Sequence, residues 1–318
     1  DMAGYKNKNA KILTGSNDVI GALDSTVSIS FPTPPPMAGT VAGYTSSGIA
    51  PPEVNTIDKF PFATDVNATD VGDLTQARYA SAGQSSSESG YTSGGNTPTT
   101  NIIDKFPFAT DANATDVGDL TVARFRVVGQ SSSESGYSSG GLSPTTDIID
   151  KFPFATDANA TDVGDLTQAR YGAAGQSSSE NGYSSGGFAP PLVNTIDKFP
   201  FAADANATDV GDLTQARQYA AGQSSTVSGY TSGGTPPITN TIEKFPFATD
   251  VNATDVGDLT QARAEAAGQS SIENGYSSGG NAPPSVNTID KFPFATDANA
   301  TDVGDLTQAR YGPAGQQD

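Results

Sequence analysis

The 318-residue chain contains no cysteine, no histidine and no tryptophan. Without thiols or imidazoles, disulfide frameworks, Cys/His zinc sites, Ser-His-Asp and Cys-His triads, and His-ligated copper or iron centres are all excluded. Positive charge is also scarce. The 16 Lys and Arg against 35 Asp and Glu give a formal net charge of -19, which repels nucleic acid phosphates and anionic lipid surfaces, so neither is an expected partner. No run of 18 apolar residues exists, and the first 30 residues lack the charged and apolar regions of a signal peptide. The chain is therefore expected to be soluble, or to have lost a targeting segment. Hydrophobic residues make up only 35%, while Gly numbers 35 and Pro 21, a poor composition for one large core.

What the chain does have is a repeat. The sequence Lys-Phe-Pro-Phe begins at Lys59, Lys105, Lys151, Lys198, Lys244 and Lys291, a period of 46 or 47 residues. Ala-Thr-Asp-Val-Gly-Asp-Leu-Thr-Gln-Ala-Arg follows verbatim in five copies, and the second copy differs only at Val122. Such a period suits a helix pair or a four-stranded propeller blade. Gly, Pro, Asn and Asp are spread through every unit and no helical apolar spacing appears, which disfavours helices. Four short strands fit instead: a small-residue strand in 171–178, a second in 181–187 ending on a Gly pair, a third in 195–201 and a fourth in 208–213. The third places Ile196 on one face and Phe199 and Phe201 on the other, as expected where blades pack on both sides. A small innermost strand avoids collisions around the axis.

The order R-x-x-A-G-x-x-S, G-Y-x-S-G-G, x-I-D-K-F and D-V-G-D-L-T-Q-A-R resembles the Kelch repeat over about residues 38 to 317. The likeness lies in the double Gly closing the second strand, the aromatic third strand and the Arg at the blade exit. It implies an all-β, six-bladed Kelch-like β-propeller of four-stranded antiparallel blades. The Trp usual in the fourth Kelch strand is replaced by Leu74, Leu120, Leu166, Leu213, Leu259 and Leu306, so that outer strand is expected to be short or loosely paired. The near-identity of the copies and the phrase N-A-T-D-V-G-D-L-T are also similar to repeat proteins of marine viruses, which implies a virion appendage or tail-associated protein.

Strand counting shows how a ring would close. The N-terminal unit has a second strand at Tyr44 without a spacious first strand before it, and Tyr311–Gln316 is a first strand with nothing after it. The two halves complete one blade and remove the free sheet edge. Residues 37–318 are thus expected to form the propeller and residues 1–36 an N-terminal arm. The arm carries a Pro-rich spacer, Pro32–Pro36, and apolar Ile12, Leu13, Val19, Ile20 and Leu23, suited to anchoring on other virion or surface proteins in a larger assembly.

Several motifs admit chemistry. Asp111, Asn113, Asp116 and Asp119, with equivalents in each copy, place oxygens at alternate positions as a calcium loop does, yet the EF-hand's sixth-place Gly and closing Glu are missing; a hairpin whose Asp and Asn cap their own backbone is the preferred reading over calcium. Asp116-Val-Gly118 matches the core of the sialidase Asp-box at the turn before the fourth strand, a structural element. The N-A-T sequons at Asn67, Asn113, Asn159, Asn206, Asn252 and Asn299 require a secretory route to be used. Asp58, Lys59 and Arg78 with their equivalents are read as internal ion pairs between third strand and blade exit, a role that Glu243 in one copy preserves. Paired carboxylates occur in every copy, so no acid-base site can be localised and no enzyme activity or cofactor is expected.

The copies differ in two loop sets, those between second and third strands and those joining one blade to the next. In an antiparallel blade these fall at the same end of the ring. They carry the copy-specific Phe125, Arg126, Phe188, Leu192, Gln218 and Glu265, the candidate binding face. The expected function is a non-enzymatic virion structural module for assembly or attachment to a host-surface glycan or protein; the alternative is a secreted or cell-surface carbohydrate-binding adhesin.

Overall fold

A computed structural model of the chain describes residues 39–318 and, separately, an antiparallel pairing of Lys11–Leu13 with Val19–Ala22. The expected anchoring arm otherwise lies outside the described residues. Residues 39–318 belong to one compact unit, and the described part forms six four-stranded antiparallel sheets around an axis. The protein is a six-bladed β-propeller.

The second blade shows the plan. Its inner strand is Ala82–Ser85, its second strand Ser89–Ser93, its third Ile102–Pro107 and its outer strand Thr115–Asp119. The inner strand is small because the axis is crowded. A Cβ added at Gly83 would collide with the carbonyl oxygen of Gly315, and the same holds around the ring through Gly129, Gly175, Gly222, Gly268 and Gly315. Only glycine lets six backbones approach this closely.

Each third strand is sandwiched between blades, so both its faces are apolar. Tyr183, Ile196 and Leu213 of the fourth blade pack on Phe245 and Ala253 of the fifth, while Phe199 points the other way, onto Tyr137, Ile149 and Leu166 of the third. Each buried aromatic or branched side chain contributes about 1.5–3 kcal/mol. Tyr183 stacks on Phe247 at 4.8 Å between ring centroids, and Phe247 meets Phe245 edge-on.

The outer strand is a correction to the expectation. It runs five residues in every blade and pairs at four positions with the third strand, although the register slips once, between Ile103 and Asp104 in the second blade. Leu120 is buried at its end and fills the place without a Trp.

Closure follows the strand count. Ala314–Gln317 forms the inner strand of the first blade, pairing with Ala42–Ser46 so that Gln316 lies opposite Tyr44. Glutamines bind each blade to the next. Gln84 Nε2 donates to the Tyr137 carbonyl of the third blade at 3.0 Å, and the last contacts close the circle, with Gln269 donating to Tyr44 and Gln316 to Tyr91.

Blade-exit arginines do the same. Arg78 Nη1 sits 3.0 Å from Asp104 of the following blade, and Arg310 sits 3.0 Å from Asp58, both pairs fully buried. Thr75 donates its hydroxyl and its backbone N–H to the same Asp104 carboxylate, so the buried charge is hydrogen-bonded on several sides.

Candidate functional site

The blade exits build one end of the molecule. After each buried Arg, the first residue bridges to the residue just past a Gly pair, or past Ser47-Gly48 in the first blade: Tyr79 with Asn96, Phe125 with Leu142, Tyr171 with Phe188, Gln218 with Thr235, Ala264 with Asn281 and Tyr311 with Ile49. Both copy-specific loop sets therefore lie side by side. The second exit residue has a left-handed backbone in every blade: Ala80, Arg126, Gly172, Tyr219, Glu265 and Gly312, with φ between 55° and 66°. Their backbones form a closed ring of six hydrogen bonds around the axis. Arg126 N–H donates to Ala80 C=O at 2.6 Å, Gly172 to Arg126 at 3.1 Å, Tyr219 to Gly172 at 2.6 Å, Glu265 to Tyr219 at 2.8 Å, Gly312 to Glu265 at 2.8 Å and Ala80 to Gly312 at 2.7 Å.

The side chains on this ring break the six-fold pattern. A left-handed backbone costs a residue with a Cβ about 1–2 kcal/mol relative to the right-handed form, and glycine avoids most of that cost. Two copies use Gly172 and Gly312, yet the largest side chains of the ring, Arg126, Tyr219 and Glu265, occupy equivalent strained positions. Arg126 and Glu265 stand three places apart in a ring of six, so their contact spans the axis; Arg126 Nη2 lies 3.6 Å from Glu265 Oε1. The guanidinium also lies 4.3 Å from the ring centroid of Tyr219, with Tyr171 at 5.7 Å and Phe125 at 5.9 Å. Beneath this bar is an axial cavity of about 170 Å³, walled by the small residues of the inner strands.

The charge around the mouth is singular. Six arginines of residues 39–318 are the buried exit residues, and the six lysines reach acids of the next blade at the opposite end, as Lys59 reaches Asp111 at 3.4 Å. Arg126 is the one Lys or Arg of the described propeller outside these two sets. It makes no side-chain hydrogen bond among the described residues, and its 3.6 Å contact with Glu265 is too long to be one. Burial pushes the Glu265 carboxyl up from its ordinary value, and Arg126 offsets this only in part.

Of the sequence-derived candidates, the structure brings Phe125, Arg126 and Glu265 together at the mouth. Phe188 stands one layer outward, its ring 5.4 Å from that of Tyr171, and bridges to Leu192 within its own loop. Gln218 bridges to Thr235, and its Oε1 is buried without a hydrogen-bond partner. All six are half-buried instead of fully exposed. Tyr219 and Tyr171 are the additions. Tyr219 shares the repeat position of Arg126 and Glu265, a signal present in the sequence beside Gln218.

The acidic turn takes a different form from a metal loop. Asp111 faces Lys59, Asn113 Oδ1 accepts the Asp73 N–H at 3.1 Å and Asp116 Oδ1 accepts the Gly118 N–H at 3.2 Å. The Asp119 N–H donates to Asn159 of the next blade. The oxygens thus serve separate partners, and no group of three or more acidic residues placed to hold a metal occurs among the described residues. Asp116-Val-Gly118 lies within the outer strand, not in the turn before it, which corrects the Asp-box placement. The sequon asparagines are exposed, and each Oδ1 accepts from the preceding blade.

No helix among the described residues is long and apolar enough to cross a membrane. No family model matches the chain, and no curated protein matches it either.

Proposed function

We propose that the chain is a non-enzymatic attachment module, a Kelch-like propeller carried on a virion as an appendage or tail-associated protein. The observation that supports this most is the placement of Arg126, Tyr219 and Glu265 on strained backbone at the axial mouth, where equivalent copies use glycine. Strain of this kind is a pointer to a binding role, because it disfavours folding and glycine would relieve it. The Kelch-like reading rests on the buried exit arginines and on the Gly pairs, and the virion reading on the near-identity of the copies. The apolar segment before residue 37 is the proposed anchor to other virion proteins. The lack of Cys and His in the sequence, and the engagement of the repeated carboxylates in ion pairs, support a role without catalysis.

A second reading is a secreted or cell-surface carbohydrate-binding adhesin. It is favoured by one feature: aromatic rings beside a guanidinium and a carboxylate around a small concave mouth.

The test is cosedimentation of the labelled full chain with intact cells of its host or source, comparing it with the triple variant R126G/Y219G/E265G. Glycine suits the left-handed backbone at these positions, as Gly172 and Gly312 show, so the variant keeps the fold. Loss of cell binding in the folded variant is expected. Undiminished binding would remove the function from this end of the propeller.

A further inference from the structure

Resting on that attachment reading, we infer that the axial mouth is a site for a carboxylate-bearing sugar ring of the hexuronic acid type, its carboxylate on the guanidinium of Arg126 and its apolar face against Tyr219.

The cation argues for an anionic group. A guanidinium presents five N–H donors in a fork that matches a carboxylate. Every buried exit arginine has such a partner within 3.3 Å. Arg126 has only the 3.6 Å contact with Glu265, and its donors have no acceptor at hydrogen-bond distance among the described residues. A ligand carboxylate gives the fork the acceptors that Glu265 does not reach.

The surroundings argue for a sugar over an extended peptide. An extended peptide binds through free backbone groups at a sheet edge. At this mouth the six N–H and six C=O groups of the ring are consumed by one another, so recognition falls to side chains. Those side chains are the guanidinium, the Tyr219 and Tyr171 rings and the Glu265 carboxyl. They offer a face for sugar C–H groups and acceptors or donors for hydroxyls. The cavity of about 170 Å³ has room for on the order of ten waters, which a single terminal sugar ring can displace. Its inner-strand walls of Gly, Ala, Ser, Val and Gln carry no charge of their own, and Arg126 is the only Lys or Arg lining it.

The experiment is isothermal titration of the full chain with methyl glucuronide, methyl glucoside and acetylglycine, on the wild type and on R126G and Y219G. Both variants take the residue that the equivalent positions already use. The expected result is saturable binding of methyl glucuronide, at least tenfold weaker for R126G, weakened for Y219G, and at least tenfold weaker for methyl glucoside on the wild type. Equal affinity for methyl glucoside would overturn the carboxylate requirement. Equal affinity for acetylglycine would overturn the sugar and favour a peptide carboxylate. No binding of any of the three overturns the ligand class. The attachment reading is judged apart from these outcomes, because it falls only when the triple variant still sediments with cells.

Discussion

Arg126, Tyr219 and Glu265 carry opposite consequences for stability and for binding. Each holds a left-handed backbone that glycine adopts freely, so Y219G should raise thermal stability or leave it unchanged while binding falls. A fall in melting temperature above a few degrees would mean that the Tyr219 ring is needed to hold the ring of exits. Glu265 adds a pH signature. Burial raises its carboxyl above the ordinary 4.5, and Arg126 pulls it back only partly; Tyr311, raised by burial and by Glu265, Tyr79 and Glu53, faces the same mouth. A carboxyl with a raised value in the folded state contributes stability that is fully present below its unfolded value and is lost as pH rises through the raised one. The ionised Glu265 is therefore a net cost at neutral pH. Glu265→Gln should melt higher than the wild type at pH 7, with the two curves converging near pH 4; a variant that melts lower at pH 7 would show that the Arg126 contact outweighs the burial. The sequence made Arg126 and Glu265 legible because they depart from their copies. It hid the reason, since a left-handed φ is signalled only by Gly172 and Gly312, two copies of six. Tyr219 was less legible because its neighbour Gln218 also departs from its copies.

At the scale of the strand, the repeat copies are a set of natural substitutions within one molecule. Five third strands place Asp opposite the exit Arg, at 2.9 or 3.0 Å; the fifth blade has Glu243, whose Oε1 lies 3.3 Å from Arg217 and is the same oxygen that takes the Thr214 hydroxyl. Arg217 Nη2 also reaches the Thr231 carbonyl only at 3.4 Å, where Arg78 reaches Thr92 at 2.9 Å. Glu243→Asp should therefore stabilise the chain, by about 1 kcal/mol if one such charged hydrogen bond is restored. In contrast Asp104→Asn leaves Arg78 buried without a counter-ion, and a loss of about 3–5 kcal/mol is expected from chemical denaturation. The pairing itself was readable from residue types, but its partner was not. Arg78 could equally meet Asp58 of its own unit or Asp104 of the next, because near-identical copies offer the same chemistry at both places. Only the packing of blade on blade selects Asp104. The second-strand tyrosines follow the same logic. Burial drives Tyr183 and Tyr276 up to about 12 from 10.0, so their neutral form supports the fold below pH 10 and that support is lost as pH rises toward 12. Melting temperature should hold to about pH 10 and then fall, with the share of tyrosinate absorbance that belongs to Tyr183 and Tyr276 appearing only as the chain unfolds.

For the whole molecule, the same contacts repeat six times and the last copy meets the first. Around the axis run the hydrogen-bonded ring at the mouth, the glycine ring and a serine ring in which each Ser N–H donates to the next Ser hydroxyl, from Ser85 to Ser131 and onward to Ser270. The serine ring is completed by Gln317, whose side chain accepts from Ser270 and whose N–H donates to Ser85. The C-terminal residues thus take part in every ring, which the count of strands in the sequence could anticipate but the hydrogen bonds of Gln317 could not. Deleting residues 311–318 removes four paired positions on Ala42–Ser46, the four side-chain hydrogen bonds of Gln316 and one member of each axial ring. At about 0.5–1.5 kcal/mol for each bond, the loss is several kcal/mol. In a domain of this size that lowers the melting temperature by on the order of 10 °C, with sheet edges exposed to aggregation. A synthetic peptide of residues 311–318 added in trans should recover part of the loss by pairing with the vacated edge. If the deletion melts like the intact chain, the strand beside Ala42–Ser46 must be replaceable from residues before 39, and closure by the C-terminus is not what holds the ring.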